Sequence, residues 1–108
     1  MSWTSLCEIG ELVEGKGKYV EIGGFQLAVF MSGGKVYAVD NRCPHAGGNL
    51  CGGDIEDGRV VCPWHQWAFD LETGKLRWSP GVSIRAYRTR LLERPDEPTL
   101  VQAELPIY

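Results

Sequence analysis

The chain contains only two histidines, His45 and His65, and each follows a cysteine at short range. The first pair reads Cys43-Pro44-His45; after sixteen intervening residues the second reads Cys62-Pro63-Trp64-His65. Each segment offers one thiol and one imidazole. One intervening residue in extended backbone puts Cys43 and His45 on the same side of the chain. Two intervening residues across a tight turn do the same for Cys62 and His65. A proline after each cysteine restricts the cysteine backbone and stiffens the loop. Two such segments can close on a metal centre from opposite sides.

Three readings of this donor set stand at this level. A structural zinc site would use the two cysteines and two histidines as a tetrahedron, but its ligand pairs are usually two or more residues apart. A [2Fe–2S] cluster would take both cysteines on one iron and both histidines on the other. Gly47, Gly48, Gly52 and Gly53 favour this second reading, because glycine lets backbone N–H groups approach the sulfides and stabilise negative charge. The third reading is two unrelated Cys/His pairs in loops.

The scaffold that must position these residues is bounded by composition. A chain of 108 residues, 44% hydrophobic and 23% charged, holds one folded domain with one core rather than a disordered segment. A net charge of −3 argues against nucleic acid or an anionic membrane as partner. The longest apolar run, Leu27 to Met31, is too short to span a bilayer. Met1 to Ser5 lacks the basic flank and apolar stretch of a secretory signal. Cytoplasmic residence is therefore expected, and in that reducing compartment the four cysteines are ligands or free thiols rather than disulfides.

Fourteen glycines and six prolines point to short strands and many turns. Lys18 to Ile22 alternates, Gly23-Gly24 links it to Phe25 to Phe30, and Ser32-Gly33-Gly34 leads into Lys35 to Val39. Further strands are expected at Arg59 to Val61 after Asp57-Gly58, at Ala68 to Leu71, and at Leu100 to Ala103. Val82 to Leu91 reads as one strand whose alternation changes phase, with a bulge near Arg85-Ala86 restoring a single inward face. Glu8 to Leu12 gives one helical turn at most. The reading is all-β, an antiparallel sandwich or small barrel. Two irregular stretches, Cys43 to Gly53 and Cys62 to Trp67, form a small site-bearing subdomain of about residues 41–81, inserted in the β base of a single domain over residues 1–108.

The run Cys43-Pro-His45-Ala-Gly47-Gly-Asn-Leu50-Cys-Gly-Gly53 followed by Cys62-Pro-Trp-His65-Gln-Trp-Ala-Phe69-Asp-Leu-Glu-Thr-Gly74 resembles the Rieske [2Fe–2S] signature. The likeness extends over nearly the whole chain. It implies the Rieske fold and one [2Fe–2S] cluster per chain, with Cys43 and Cys62 on the inner iron and His45 and His65 on the outer, more exposed iron. Trp78-Ser79-Pro80-Gly81 resembles the segment that covers the cluster in this family.

Departures from the pattern refine what the resemblance implies. High-potential members carry an additional cysteine in each loop and form a disulfide there; Gly48 and Trp64 stand at those positions here. Those members also place a serine and a tyrosine in the second loop that hydrogen-bond to sulfur. Trp67 and Phe69 occupy those places and have no hydroxyl to supply such bonds. Hydrogen bonds to sulfur favour the reduced state, so a midpoint on the order of −150 mV is expected. Two ferric ions, two sulfides, two thiolates and two neutral imidazoles sum to roughly zero charge, and reduction adds about one negative charge near the surface. The implied function is a soluble one-electron carrier, similar to ferredoxin components that link a flavin reductase to a terminal oxygenase. The alternative is the small subunit of NAD(P)H-dependent nitrite reductase, partnered by its large subunit; a more distant one is a zinc-stabilised binding module.

The chain is not expected to be an enzyme by itself. A mononuclear iron oxygenase needs two histidines and a carboxylate, and both histidines are already placed in the motif. No dinucleotide fingerprint is present to take hydride from NAD(P)H. Cys7 and Cys51 lie outside the motif and read as small, partly buried fillers, with ligand replacement or mutual pairing as the lesser reading. Trp64 and Trp67 either pack the subdomain or line a docking surface. Basic residues from Lys75 to Arg94 and acids from Asp54 to Glu72 read as solvated faces before they read as a steering dipole. Gly15-Lys16-Gly17-Lys18 lacks the spacing and hydroxyl of a phosphate loop.

Overall fold

Three two-residue reversals set the strand registers. Gly23-Gly24 (φ 57° and 84°), Gly33-Gly34 (61° and 78°) and Asp57-Gly58 (49° and 75°) are left-handed at both positions. Such turns carry the same twist as the strands they join, and glycine reaches them without a steric penalty. In the computed structural model, which describes residues 2–44, 48–63 and 66–106 (Pro80 without its side chain), they join three hairpins. Strand β2 (Gly17–Ile22) pairs with β3 (Phe25–Ser32), β3 with β4 (Lys35–Asp40), and β5 (Asp54–Glu56) with β6 (Arg59–Val61). The turns and most of these strands fall where the sequence places them.

The strands form three antiparallel sheets. In a three-stranded sheet, β12 (Glu97–Leu105) lies between β1 (Ser2–Glu8) and β11 (Thr89–Arg94). A four-stranded sheet has the order β10-β4-β3-β2, with β10 at Ala86–Tyr87. A five-stranded meander runs β5-β6-β7-β8-β9, where β7 is Ala68–Asp70, β8 Lys75–Leu76 and β9 Ser79–Ser83. All three are antiparallel, as expected for the all-β base with an inserted site-bearing portion.

The four-stranded sheet is a wall shared by two apolar cores. Leu27, Val29 and Ala38 face the first core, with Val101, Ala103 and Leu105 of β12. Ala28, Phe30 and Val39 face the second, with Cys43, Leu50, Val60, Cys62 and Phe69. Residues 27–30 are therefore fully buried on both faces, which is why they form a continuous apolar run instead of alternating.

The five-stranded sheet is an excursion that leaves β4 and returns beside it. Val39 of β4 pairs with Ala86 of β10, and Ala38 with Tyr87. Asp40 closes the neck: its N–H donates to the Arg85 carbonyl (2.9 Å), and its carboxylate accepts from the Arg85 N–H (3.2 Å) and the Tyr87 hydroxyl (2.7 Å). The single strand expected over Val82 to Leu91 is corrected here. The segment crosses all three sheets, as the end of β9, as β10, and as the start of β11. The phase change near Arg85-Ala86 marks passage between sheets rather than a bulge within one. Ile84 is buried, whereas Leu91 is 47% exposed. The expected single helical turn is a 3-10 turn at Ile9–Glu11.

Partial burial, and next the bond to the Asp40 carboxylate, push the Tyr87 hydroxyl up to about 12. A raised folded value means the proton is held more tightly in the folded state. Stability from this group is complete below about pH 10 and is lost as pH rises through about 12. Tyr87→Phe should lower unfolding free energy by about 1 kcal/mol at neutral pH. It should also flatten the decline of stability between those pH values, which denaturant titrations at graded pH measure.

Candidate metal centre

Both cysteine-led loops are closed at their base in the same way. The Cys43 N–H donates to the Gly48 carbonyl (2.9 Å), and the Cys62 N–H donates to the Trp67 carbonyl (2.7 Å). The second loop has further support: it sits at the end of the β6–β7 hairpin, whose last pair is Val61 with Ala68. The Gln66 N–H also turns back to the Cys62 carbonyl (3.0 Å), with Gln66 at φ 57°.

No hairpin carries the first loop. It leaves β4 at Asp40 and rejoins the fold at a 3-10 turn over Leu50–Gly52. Its neck is an isolated bridge between Arg42 and Asn49 together with the bonds of Asn41. The Asn41 N–H donates to the Gln26 carbonyl (3.0 Å), and its carbonyl accepts from the Leu50 N–H (2.7 Å). Its side-chain oxygen accepts from the Cys51 N–H (2.9 Å), and its Nδ2 donates to Asn49 Oδ1 (3.0 Å). Sequence reasoning passed over Asn41, which is only 3% exposed. Its position directly before Arg42-Cys43 was the available signal.

Cys43 and Cys62 are 1% and 0% exposed and belong to one apolar core, reached from the two loops. A pair of buried thiol side chains converging on one core is a donor set suited to a thiolate-bound metal group. His45 and His65, together with Gly47 and Trp64, lie outside the described residues. Two close backbone approaches fix the segment after the first loop. A Cβ at Gly53 would collide with the Val61 carbonyl of β6. A Cβ at Gly17 would lie 2.6 Å from Phe30 Cε1 and 2.8 Å from Cys51 Cα. Gly17, within the Gly15 to Lys18 stretch, is thus a packing contact between β2 and the Cys51 segment.

The role expected of Gly52 and Gly53 is corrected by their hydrogen bonds. The Gly52 N–H donates to the Asn49 carbonyl (3.2 Å), and the Gly53 N–H to the Leu50 carbonyl (2.9 Å). These donors complete the 3-10 turn, and the requirement for glycine at position 53 is steric.

Trp67 packs against the second core, 6.4 Å from the Phe69 ring at 52°, and Phe69 is fully buried. Trp78 is 58% exposed at the turn between β8 and β9. Beyond it, Leu76 pairs with Ser79 but Lys75 with Ser83, so residues 80–82 bulge from the sheet. Cys7 and Cys51 are free thiols in different cores, and burial pushes both thiols up. The late arginines have local partners: Arg94 with Glu97 (3.3 Å), Arg88 with Glu104 (3.9 Å), Arg85 over Tyr87, and Arg90 over Trp3. Among the described residues, no helix is long and apolar enough to cross a membrane.

The β scaffold brings two matched cysteine-led loops, and the side chains of Cys43 and Cys62, to one buried core; among the described residues, no group of three or more metal-ligating side chains comes together. The sequence profile of the Rieske [2Fe-2S] domain matches residues 2–88, and the chain belongs to that family. Its cofactor is one [2Fe–2S] cluster, and the domain's class is that of a one-electron carrier. It is similar to the ferredoxin component of the naphthalene 1,2-dioxygenase system of Pseudomonas putida, at 30% identity over 92 residues, covering 84% of this chain and 88% of that one. It is also 32% identical over 88 residues to apoptosis-inducing factor 3 of Mus musculus, covering 81% of this chain but only 14% of that longer protein. Among solved structures, a Mycobacterium tuberculosis protein assigned as an NADH-dependent nitrite reductase small subunit superposes with TM-score 0.84 at 29% identity, covering 98% and 97% of the two chains. The ferredoxin of carbazole 1,9a-dioxygenase from Nocardioides aromaticivorans IC177 superposes with TM-score 0.78 at 25% identity, covering 94% and 97%.

The Gly53 contact yields a direct test of the packing. Gly53→Ala should destabilise the protein by roughly 1–3 kcal/mol through overpacking against backbone. Gly52→Ala, whose Cβ meets nothing within 4 Å, should stay close to wild type in the same denaturant titration.

Proposed function

We propose that this chain passes single electrons from a flavin-containing reductase to a terminal oxygenase in the cytoplasm. In this reading Cys43, His45, Cys62 and His65 hold the cluster within a subdomain of about residues 41–81. The observation that carries the reading is the burial of Cys43 and Cys62 in one core at the bases of matched loops. When bound, the cluster supplies reversible one-electron chemistry. The chain's own contribution is positional: the closed loop bases hold the two sulfur donors against the wall, and the apolar core keeps water from them. Neither Trp67 nor Phe69 can donate to sulfur through a hydroxyl, which supports a midpoint on the order of −150 mV.

A second reading, the small subunit of a nitrite reductase, is favoured by the near full-length match to the mycobacterial structure. Reduction of the purified protein by a flavin reductase, followed by turnover of an aromatic-ring oxygenase, is expected under the first reading. Stable co-purification with a nitrite reductase large subunit is expected under the second.

The ligand assignment makes separate predictions. The isolated protein should be coloured and hold iron and acid-labile sulfide in about equal amounts. Cys62→Ser or His65→Cys should abolish or alter the visible spectrum. Cys51→Ser should leave it intact, because the backbone N–H of Cys51, not its thiol, bonds Asn41. Voltammetry should give the low potential stated above; a strongly positive value would contradict the reading.

A further inference from the structure

We propose that Asn41 is a positioning residue which, through Asn49, fixes the geometry of the first cluster-binding loop; this rests on the assignment of Cys43 and His45 as ligands. The two loops differ in support. The Cys62 loop is carried by paired strands up to Val61 and Ala68, whereas the Cys43 loop has an isolated bridge and a side chain. All four polar groups of Asn41 are engaged, one toward β3 and three toward residues 49–51. Both ends of the loop are therefore tied to one buried residue two positions before Cys43. Without its side chain, the neck would keep the Leu50 to Asn41 backbone bond and the bridge. The Cys51 N–H and the Asn49 side chain would lose their partner. The loop could then open and shift the donors it carries.

Asn41 is buried, so its removal risks the fold; Asn49 is exposed and offers a milder test. Asn49→Ala removes one hydrogen bond at the neck, and Asn49→Asp keeps the acceptor. In the holoprotein, cluster loss to a chelator should quicken about fivefold in Asn49→Ala and about twentyfold in Asn41→Leu, but no more than about twofold in Asn49→Asp. The electron paramagnetic resonance g-values of the reduced protein should move in Asn49→Ala and match wild type in Asn49→Asp. A purely structural residue would lower the unfolding temperature without moving the g-values. Wild-type g-values and loss rates in Asn49→Ala would overturn the proposal. An unchanged spectrum in Cys43→Ser would instead overturn the ligand assignment, and this proposal with it.

Discussion

The four-stranded sheet must be apolar on both of its faces, and the rest of the molecule follows from that requirement. Strand β3 places Leu27 and Val29 in one core and Ala28 and Phe30 in the other. A sheet buried on both sides needs a layer on each, and this chain supplies them from different parts of its length. The termini provide β1, β11 and β12 on one side. The excursion between Asp40 and Arg85 provides the other, with both motif cysteines in its core. The site is thus packed on the wall and not attached to the outside of a finished domain. Phe30 of β3 shares the second core with Leu50, Cys43 and Cys62.

Two closures hold the excursion in place, and they use different chemistry. Asp40 accepts from Arg85 and Tyr87, joining the outgoing strand to the returning one. Asn41, the next residue, joins the outgoing chain to the segment that follows the first loop. One residue fixes where the excursion begins and ends; its neighbour fixes the loop inside it. Neither is an ion pair, so their strength is less sensitive to ionic strength than that of the exposed Arg88–Glu104 contact.

The hairpins over residues 17–40 were legible because their turns carry glycine at both positions and their strands have regular registers. Strand β1 was not legible because a register shift between Ser5 and Cys7 interrupts its period-two pattern. Strands β5 and β8 have three and two residues and mix polar with apolar side chains, whereas the equally short β6 and β7 carry the apolar runs Val60-Val61 and Ala68-Phe69. Val82 to Leu91 was misread because alternation records which face is buried, not which sheet the strand joins. At the site, Cys43 and Cys62 stood out by residue type and spacing. Asn41 and Gly17 did not, since their work is done through contacts with residues distant in sequence.

A one-electron carrier must accept a change of charge without rebuilding the backbone that holds its donors. Loops are less precise supports than strands, so precision has to be added where a site is built on them. Here it is added at the base of each loop, where a cysteine N–H closes a ring to a carbonyl five residues on. Each motif cysteine is therefore the first residue of its closure. The proline after each cysteine acts in the same direction by narrowing the backbone angles of that residue. In the sequence, the histidines at positions 45 and 65 follow their cysteines by two and three residues. This ordering ties each cysteine to the closure at the base of its loop, where the backbone is held by hydrogen bonds.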